Sequence, residues 1–175
     1  MNEEKTVYET LYARQLLGEY ARGYGHSNHG EGHLAEILAD NPASVLDAGC
    51  GHNEFAQALR ARGIKAWGVD FACPSADEIV DLLSMPYRNN EWDYLTAWDV
   101  LEHLRPEQVH KALAEMARVS MRFGFTIAHS DSYHRLDGRT LHPTVENEEW
   151  WRDAIMKHAE SVTRTDSGVW KGVWR

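Results

Sequence analysis

The segment Val45 to Asn53, VLDAGCGHN, carries the most informative chemistry in the chain. An apolar run leads into Asp47, then come Gly49 and Gly51, and a helical pattern opens directly after. Glycine at two such positions permits a tight turn and lets backbone approach a ligand closely. Asp70 follows Asp47 by 23 positions, at the end of the next apolar run. A carboxylate placed there is suited to accept two hydrogen bonds from ribose hydroxyls. The dinucleotide pattern G-x-G-x-x-G would need glycine where Glu54 stands, which argues against a nicotinamide dehydrogenase. His52 and Asn53 follow Gly51 instead, and asparagine tolerates a left-handed backbone better than most residues.

A second group of chemically able side chains lies in two stretches rich in histidine. His26, His29 and His33 sit in the first, with Tyr24. The second, from His129 to Trp151, carries His129, Asp131, Tyr133, His134, Arg135, Arg139 and His142. Imidazoles titrate near neutrality and serve as proton acceptors or as metal ligands. Neither stretch has a recognised metal motif, so no resident metal is assigned; zinc on three of these imidazoles is the alternative. Arg135 and Arg139 flank Asp137-Gly138 and could clamp a carboxylate or phosphate, or form a solvated turn.

These residues need a scaffold, and the hydrophobic pattern supplies one. Helices are predicted over residues 4–22, 33–40, 54–62, 106–120 and 148–158. Strands are predicted over 44–47, 65–70, 78–82, 92–98 and 123–128. The tail alternates Val162, Arg164, Val169, Lys171, Val173 and Arg175, which suits a closing antiparallel hairpin. The alternation of strands and helices predicts an α/β fold. It is a Rossmann-like, doubly wound, mostly parallel sheet with helices on both faces and a C-terminal antiparallel hairpin. The whole chain, 1–175, is expected to form one domain: an N-terminal helical cap over residues 1–40 and a core over 41–175. Trp150 and Trp151 open the last helix, one expected to point inward and the other to stay partly exposed. Trp170 and Trp174 are placed either in the sheet or at a dimer contact.

VLDAGCG followed by GVDF, DLLSMPY, WDYLTAWDVLEHL and FTIAH resembles the class I S-adenosylmethionine-dependent methyltransferases, in strand order and spacing, over roughly residues 33–130. DVLEHL is similar to the group that includes small-molecule methyltransferases. The resemblance implies that Asp47 orients the turn or meets the methionine amino group, while the backbone of Gly49 and Gly51 passes under the cofactor. It further implies that Asp70 holds the ribose, that Phe71 lies against the adenine, and that Asp81 and Leu82 meet the adenine edge. Trp98 and Asp99 would sit near the methionine part and the acceptor. The loop with Tyr24 would cross the same edge of the sheet and cover the cofactor.

The implied activity is methyl transfer to oxygen or nitrogen of a small polar acceptor: a sugar, a nucleotide-linked or an acidic intermediate. S-adenosyl-L-homocysteine is the other product. The enzyme aligns the partners and removes the acceptor's proton. Asp99 and one of His129, His134 and His142, with His103 behind them, are the candidate catalytic groups. Tyr133, Arg135, Arg139 and Trp150 are the candidate substrate contacts. A protein or RNA acceptor, or a non-catalytic cofactor-binding subunit, is the alternative. The formal net charge of −9, without a run of Lys/Arg, disfavours nucleic acid. Two cysteines without a secretory pattern and an acidic N-terminus point to a reducing cytoplasm. No apolar run reaches the ~18 residues of a membrane span. A monomer or homodimer is expected.

Overall fold

A computed structural model describes residues 3–20, 24–26 and 32–175. Its main sheet has seven strands in the order β3-β2-β1-β4-β5-β9-β8. These are β1 (Ser44–Ala48), β2 (Lys65–Asp70), β3 (Glu78–Ile79), β4 (Trp92–Trp98), β5 (Ser120–Thr126), β8 (Ala159–Arg164) and β9 (Trp170–Trp174). The first five run parallel, and β9 returns antiparallel between β5 and β8. The strand order reverses between β1 and β4, which opens a crevice beyond their carboxyl ends.

Every residue of β1 is buried, as an apolar strand covered on both faces must be. The alternation of its side chains divides the core. Val45 points into a layer with Leu34 and Ile37 of α2 (Leu34–Ala39) and Phe55 and Leu59 of α3 (Glu54–Arg60). Leu46 and Ala48 point to the other face. There Val109, Leu113 and Met116 of α4 (Pro106–Val119) and Trp151 and Ile155 of α5 (Glu148–Met156) cover the sheet. Pro106 starts α4, where a missing N–H costs nothing. Asn147 caps α5, its Oδ1 accepting from the Trp150 N–H at 2.9 Å.

Several boundaries moved for physical reasons. Helix α1 (Glu3–Leu16) stops six residues earlier than periodicity predicts, because Gly18 adopts φ +74° just past its end. Strand β3 ends at Ile79 because the Asp81 carboxylate accepts from the Leu83 N–H and turns the chain. Strand β5 begins at Ser120, three residues early: Ser120 is already extended at the end of α4, with no intervening loop. It stops at Thr126, whose carbonyl and hydroxyl both accept from the Asp99 N–H.

The stretch after β5 is not wholly irregular either. β6 (Arg135–Leu136) and β7 (Arg139–Thr140) form a small hairpin, turned by Asp137 and Gly138 at φ +50° and +81°. An Asp-Gly pair with both residues left-handed is the turn that suits strand twist. Trp151 is buried and Trp150 half-buried, the division expected of the pair. Trp170 and Trp174 are buried, so they line the core and present nothing to a second subunit. The helix α2 packs on the sheet beside α3, which leaves α1 and residues 24–26 as the described part of the N-terminal region that lies over the cavity.

Candidate active site

A cavity of about 420 Å³ lies at the strand ends where the order reverses. One half is built by the turn after β1. Gly49 and Gly51 take φ +74° and +50°. The Gly49 and Cys50 N–H groups donate to the Val69 carbonyl, which folds the turn back onto β2. A Cβ on Gly49 would stand 2.5 Å from Val100 Cγ2, and one on Gly51 would stand 2.1 Å from the Gly25 carbonyl oxygen. Both glycines are therefore required by close packing as well as by backbone angle. Asn53 takes φ +65° immediately before α3, so asparagine does supply a left-handed residue after the two glycines.

Asp70 ends β2 and accepts from three backbone N–H groups: Gly51 at 3.0 Å, Ala72 at 2.9 Å and Cys73 at 2.8 Å. The carboxylate thus holds the glycine turn against the loop that presents Phe71. Asp81 and Leu82, re-aimed by the turn after β3, line the same half.

Asp47 is 1% exposed. Its Oδ1 accepts from the Thr96 hydroxyl at 2.8 Å, and Oδ2 has no partner among the described residues. Burial raises its pKa to about 7, against the lowering effect of the Thr96 bond and with a further push from Asp70. A carboxyl whose folded pKa is raised binds its proton more tightly in the folded state. Stability from this group is therefore full near pH 4 and declines as pH rises toward 7. At about 1.4 kcal/mol per pKa unit, the Asp47 contribution amounts to a few kcal/mol. Urea unfolding of the cofactor-free protein at pH 5 and pH 8 checks this. Asp47→Asn is expected to remove that part of the decline, and an unchanged pH dependence would exclude Asp47 as its source.

The other half of the cavity is assembled from distant segments. β4 ends at Trp98, and Asp99 directly after it takes φ +52°, a left-handed strain stored at the cavity wall. Trp98 stacks on His33 at 5.3 Å and meets Phe55 edge-on at 5.0 Å. Next come a single turn of 3-10 helix (Leu101–His103), and then Ser130 to His134 and His142 from the stretch after β5. Tyr8 and Tyr12 of α1 close over them, one helical turn apart. Gln15 fastens the N-terminal segment through the Tyr24 carbonyl, and His52 N–H fastens it through the Gly25 carbonyl. Burial keeps the Tyr12 and Tyr24 phenols protonated by raising their pKa values, with Asp70 adding to both.

Of the residues singled out from sequence, Tyr24, Asp47, Gly49, Gly51, Asp70, Phe71, Asp81, Leu82, Trp98 and Asp99 line this cavity, as do His26, Asp131, Tyr133, His134 and His142. Four others stand elsewhere. His129 turns away from the cavity, its Nδ1 donating to the Glu146 carbonyl at 3.0 Å. Arg135 is drawn into an ion pair with Asp131, and Arg139 lies exposed on the hairpin, so neither points a guanidinium at the cavity. Trp150 packs against the core and Trp151 on the far side of the sheet. In the first histidine stretch, His26 pairs with Glu54 and stacks on His52, while His29 lies outside the described residues. Sequence reading missed Tyr8, Tyr12 and Gln108 on the cavity wall; the i, i+4 spacing of the two tyrosines was the available signal.

The electrostatics of this second half are uneven. Burial lowers the pKa of His103 to about 3, helped by His142 and His134 and opposed by a bond to the Leu141 backbone, so its ring is neutral. Burial raises Glu102 to about 8, with Asp99 adding to the effect. His142 donates Nδ1–H to the Ser130 carbonyl at 2.8 Å, which leaves its Nε2 with the lone pair.

A methyltransferase domain family matches residues 31–166 of the chain. Among solved structures, the chain is similar to magnesium protoporphyrin IX methyltransferase from Synechocystis PCC 6803 with bound SAM. The two are 17% identical with a TM-score of 0.71, over 100% of this chain and 99% of that one. It is also similar to 1,6-didemethyltoxoflavin-N1-methyltransferase from Burkholderia thailandensis, solved with bound 1,6-didemethyltoxoflavin and S-adenosylhomocysteine: 18% identity, TM-score 0.70, over 99% and 88%. The PH0226 protein from Pyrococcus horikoshii OT3 shares 13% identity and a TM-score of 0.65, over 93% and 97%. Curated protein sequences show no match. The match spans most of the chain, from the end of the N-terminal segment through β8, and includes the glycine turn and Asp70: the protein is an enzyme of the methyltransferase domain family.

Proposed function

We propose that this enzyme transfers a methyl group from S-adenosylmethionine to an oxygen or nitrogen of a small polar molecule. The observation that carries the reading is that one continuous cavity joins the glycine turn, Asp70 and Asp81 to the wall formed by Asp99, His134 and His142. The residues present fit the cofactor. The unpartnered Oδ2 of Asp47 is a ready acceptor for the methionine ammonium, Asp70 for ribose hydroxyls, and Leu82 and Phe71 offer apolar surface to adenine. Bound there, S-adenosylmethionine supplies a methyl carbon activated by its sulfonium.

The chain's own residues position the acceptor and accept its proton. Asp99, fixed by its bonds to Thr126, marks the boundary between the two halves. His134 is the candidate base. Its ring reaches the cavity and packs edge-on against Tyr24 at 5.5 Å, so the phenol that covers the cofactor also orients the imidazole. Tyr133 is 97% exposed and serves as the rim. With Arg135 engaged by Asp131, a nucleotide-linked or acidic acceptor finds no guanidinium from the hairpin in the cavity. An uncharged hydroxyl or heterocyclic nitrogen suits the aromatic wall better. Two free, buried cysteines support a reducing compartment such as the cytoplasm. Among the described residues no helix is long and apolar enough to cross a membrane.

Calorimetric titration with S-adenosylmethionine and S-adenosylhomocysteine tests the first half of the reading; no heat with either sinks it. Turnover on a panel of small hydroxylated and N-heterocyclic compounds tests the second. His134→Ala is expected to reduce kcat by about 10²- to 10⁴-fold, the usual contribution of a positioned base, while leaving S-adenosylhomocysteine affinity in place. Undiminished turnover in that variant removes His134 from the role.

A further inference from the structure

Glu102, His103 and His142 meet at the acceptor wall, and we propose that they form a binding site for a divalent transition-metal ion, of which zinc is the probe. One ligand atom from each of the three lies within 4.8 Å of the others. Among the described residues, the histidine groupings suggested by sequence spacing do not assemble in this way. His26 is taken by Glu54, His33 by Trp98, and His129 faces Glu146. Among the described residues, His142 alone of those candidates joins the cluster, and its two companions come from the DVLEHL segment.

Each of the three has one atom anchored by a neighbouring group. His142 Nδ1 donates to the Ser130 carbonyl at 2.8 Å. His103 Nδ1 lies 3.1 Å from the Tyr8 hydroxyl. Glu102 Oε1 accepts from the Ala128 N–H at 2.9 Å. Metal-binding histidines characteristically have their second nitrogen held in this way, which fixes ring orientation and presents the free lone pair. Glu102 Oε2 is the independent sign. It belongs to a side chain with no solvent exposure and has no partner among the described residues. Without a partner at such a place the carboxyl is costly to ionise, and a cation offsets that cost.

Two imidazoles and one carboxylate select a borderline ion such as Zn²⁺ over Mg²⁺ or Ca²⁺, which require oxygen ligands. Metal–ligand distances of ~2.1 Å bring ligand atoms to ~3.3 Å from one another, so binding draws the three side chains inward by roughly 1 Å. The Leu141 carbonyl, which contacts the His103 ring, is exchanged for the ion. Since His103 and His142 line the cavity, the fourth position opens toward the acceptor. If the methyltransferase reading holds, that position takes an acceptor oxygen. This role rests on that reading, whereas the site itself does not.

Full-length protein stripped with chelator and titrated with ZnCl₂ or CoCl₂ is expected to bind one equivalent. Cobalt should show the visible absorption of a nitrogen- and oxygen-ligated ion, and the melting temperature should rise. His142→Ala, at a half-exposed position, is expected to weaken binding by at least ~100-fold, and Tyr8→Phe by ~10-fold through loss of the His103 anchor. Glu102→Gln gives a second reading of the ligand set, and His26→Ala is the control that keeps full affinity. Absence of a stoichiometric site in the stripped wild type overturns the proposal, as does unchanged affinity in His142→Ala. S-adenosylhomocysteine titrated into the metal-free sample separates failure of this site from failure of the cofactor site.

Discussion

Asp70→Ala is expected to lower affinity for S-adenosylhomocysteine by at least ~100-fold, the largest effect of any single substitution in the cavity. Hydrogen bonds to a charged group contribute ~1.5–3 kcal/mol each, so loss of two ribose contacts alone accounts for about that factor. The variant also orphans the Gly51, Ala72 and Cys73 N–H groups, which all converge on this carboxylate. The glycine turn and the Phe71 loop then lose their common anchor, and the binding surface loses its shape as well as its acceptor. Calorimetry on the variant, with circular dichroism to establish that the sheet persists, measures the effect. Asp70→Asn should be intermediate, since one amide oxygen can still serve the turn. Wild-type affinity in Asp70→Ala would remove this residue from the cofactor site.

Gly51→Ala is expected to weaken the same ligand by an order of magnitude or more and to lower the melting temperature. At φ +50° an added Cβ costs ~1–2 kcal/mol from backbone conformation alone. Here it would also stand 2.1 Å from the Gly25 carbonyl oxygen and 2.8 Å from its carbon. These are backbone atoms, without a flexible end to swing aside. The segment carrying Tyr24 must lift, and the His52 N–H to Gly25 carbonyl bond breaks. Gly138→Ala is the matched control. It has φ +81° but nothing within 4 Å of its Cβ position, so it incurs the backbone cost without the collision. Equal losses of cofactor affinity in the two variants would show that the close approach at Gly51 plays no part in binding.

The two halves of the site differed in how plainly they could be read from sequence. Strands β2 and β4 match their predicted limits, because each is an apolar-rich run bounded by charged or turn-forming residues. The half proposed to hold the cofactor follows those strands directly: Asp47, Gly49, Gly51, Asp70 and Asp81 are placed by the strand ends they extend. The acceptor half has no such guide. It draws Tyr8 from α1, His103 from a 3-10 turn and His142 from beyond a hairpin, so sequence offers the residue types without their directions. His129 immediately follows the predicted end of the fifth strand and looked as eligible as His142. A bond to the Glu146 carbonyl, 17 positions away, turns it aside. The hairpin itself escaped notice because its strands are two residues each, too short for alternation to register.

The core is split in a way that bears on motion. Leu11 and Tyr12 of α1 pack with Cys73, Leu136 and Leu141 in a cluster separate from the two that sandwich the sheet. A solvent-exposed ion pair, Arg14 with Asp137, adds little to it. The roof of the cavity is thus attached through a small apolar patch of its own, while the floor is part of the main sheet. Amide hydrogens of α1 should exchange with deuterium through a partial opening of far lower free energy than those of β1 and β4. On the proposed function, cofactor exchange is expected to need this part of the fold to detach while the rest stays intact. Bound S-adenosylhomocysteine should slow α1 exchange in proportion to its affinity.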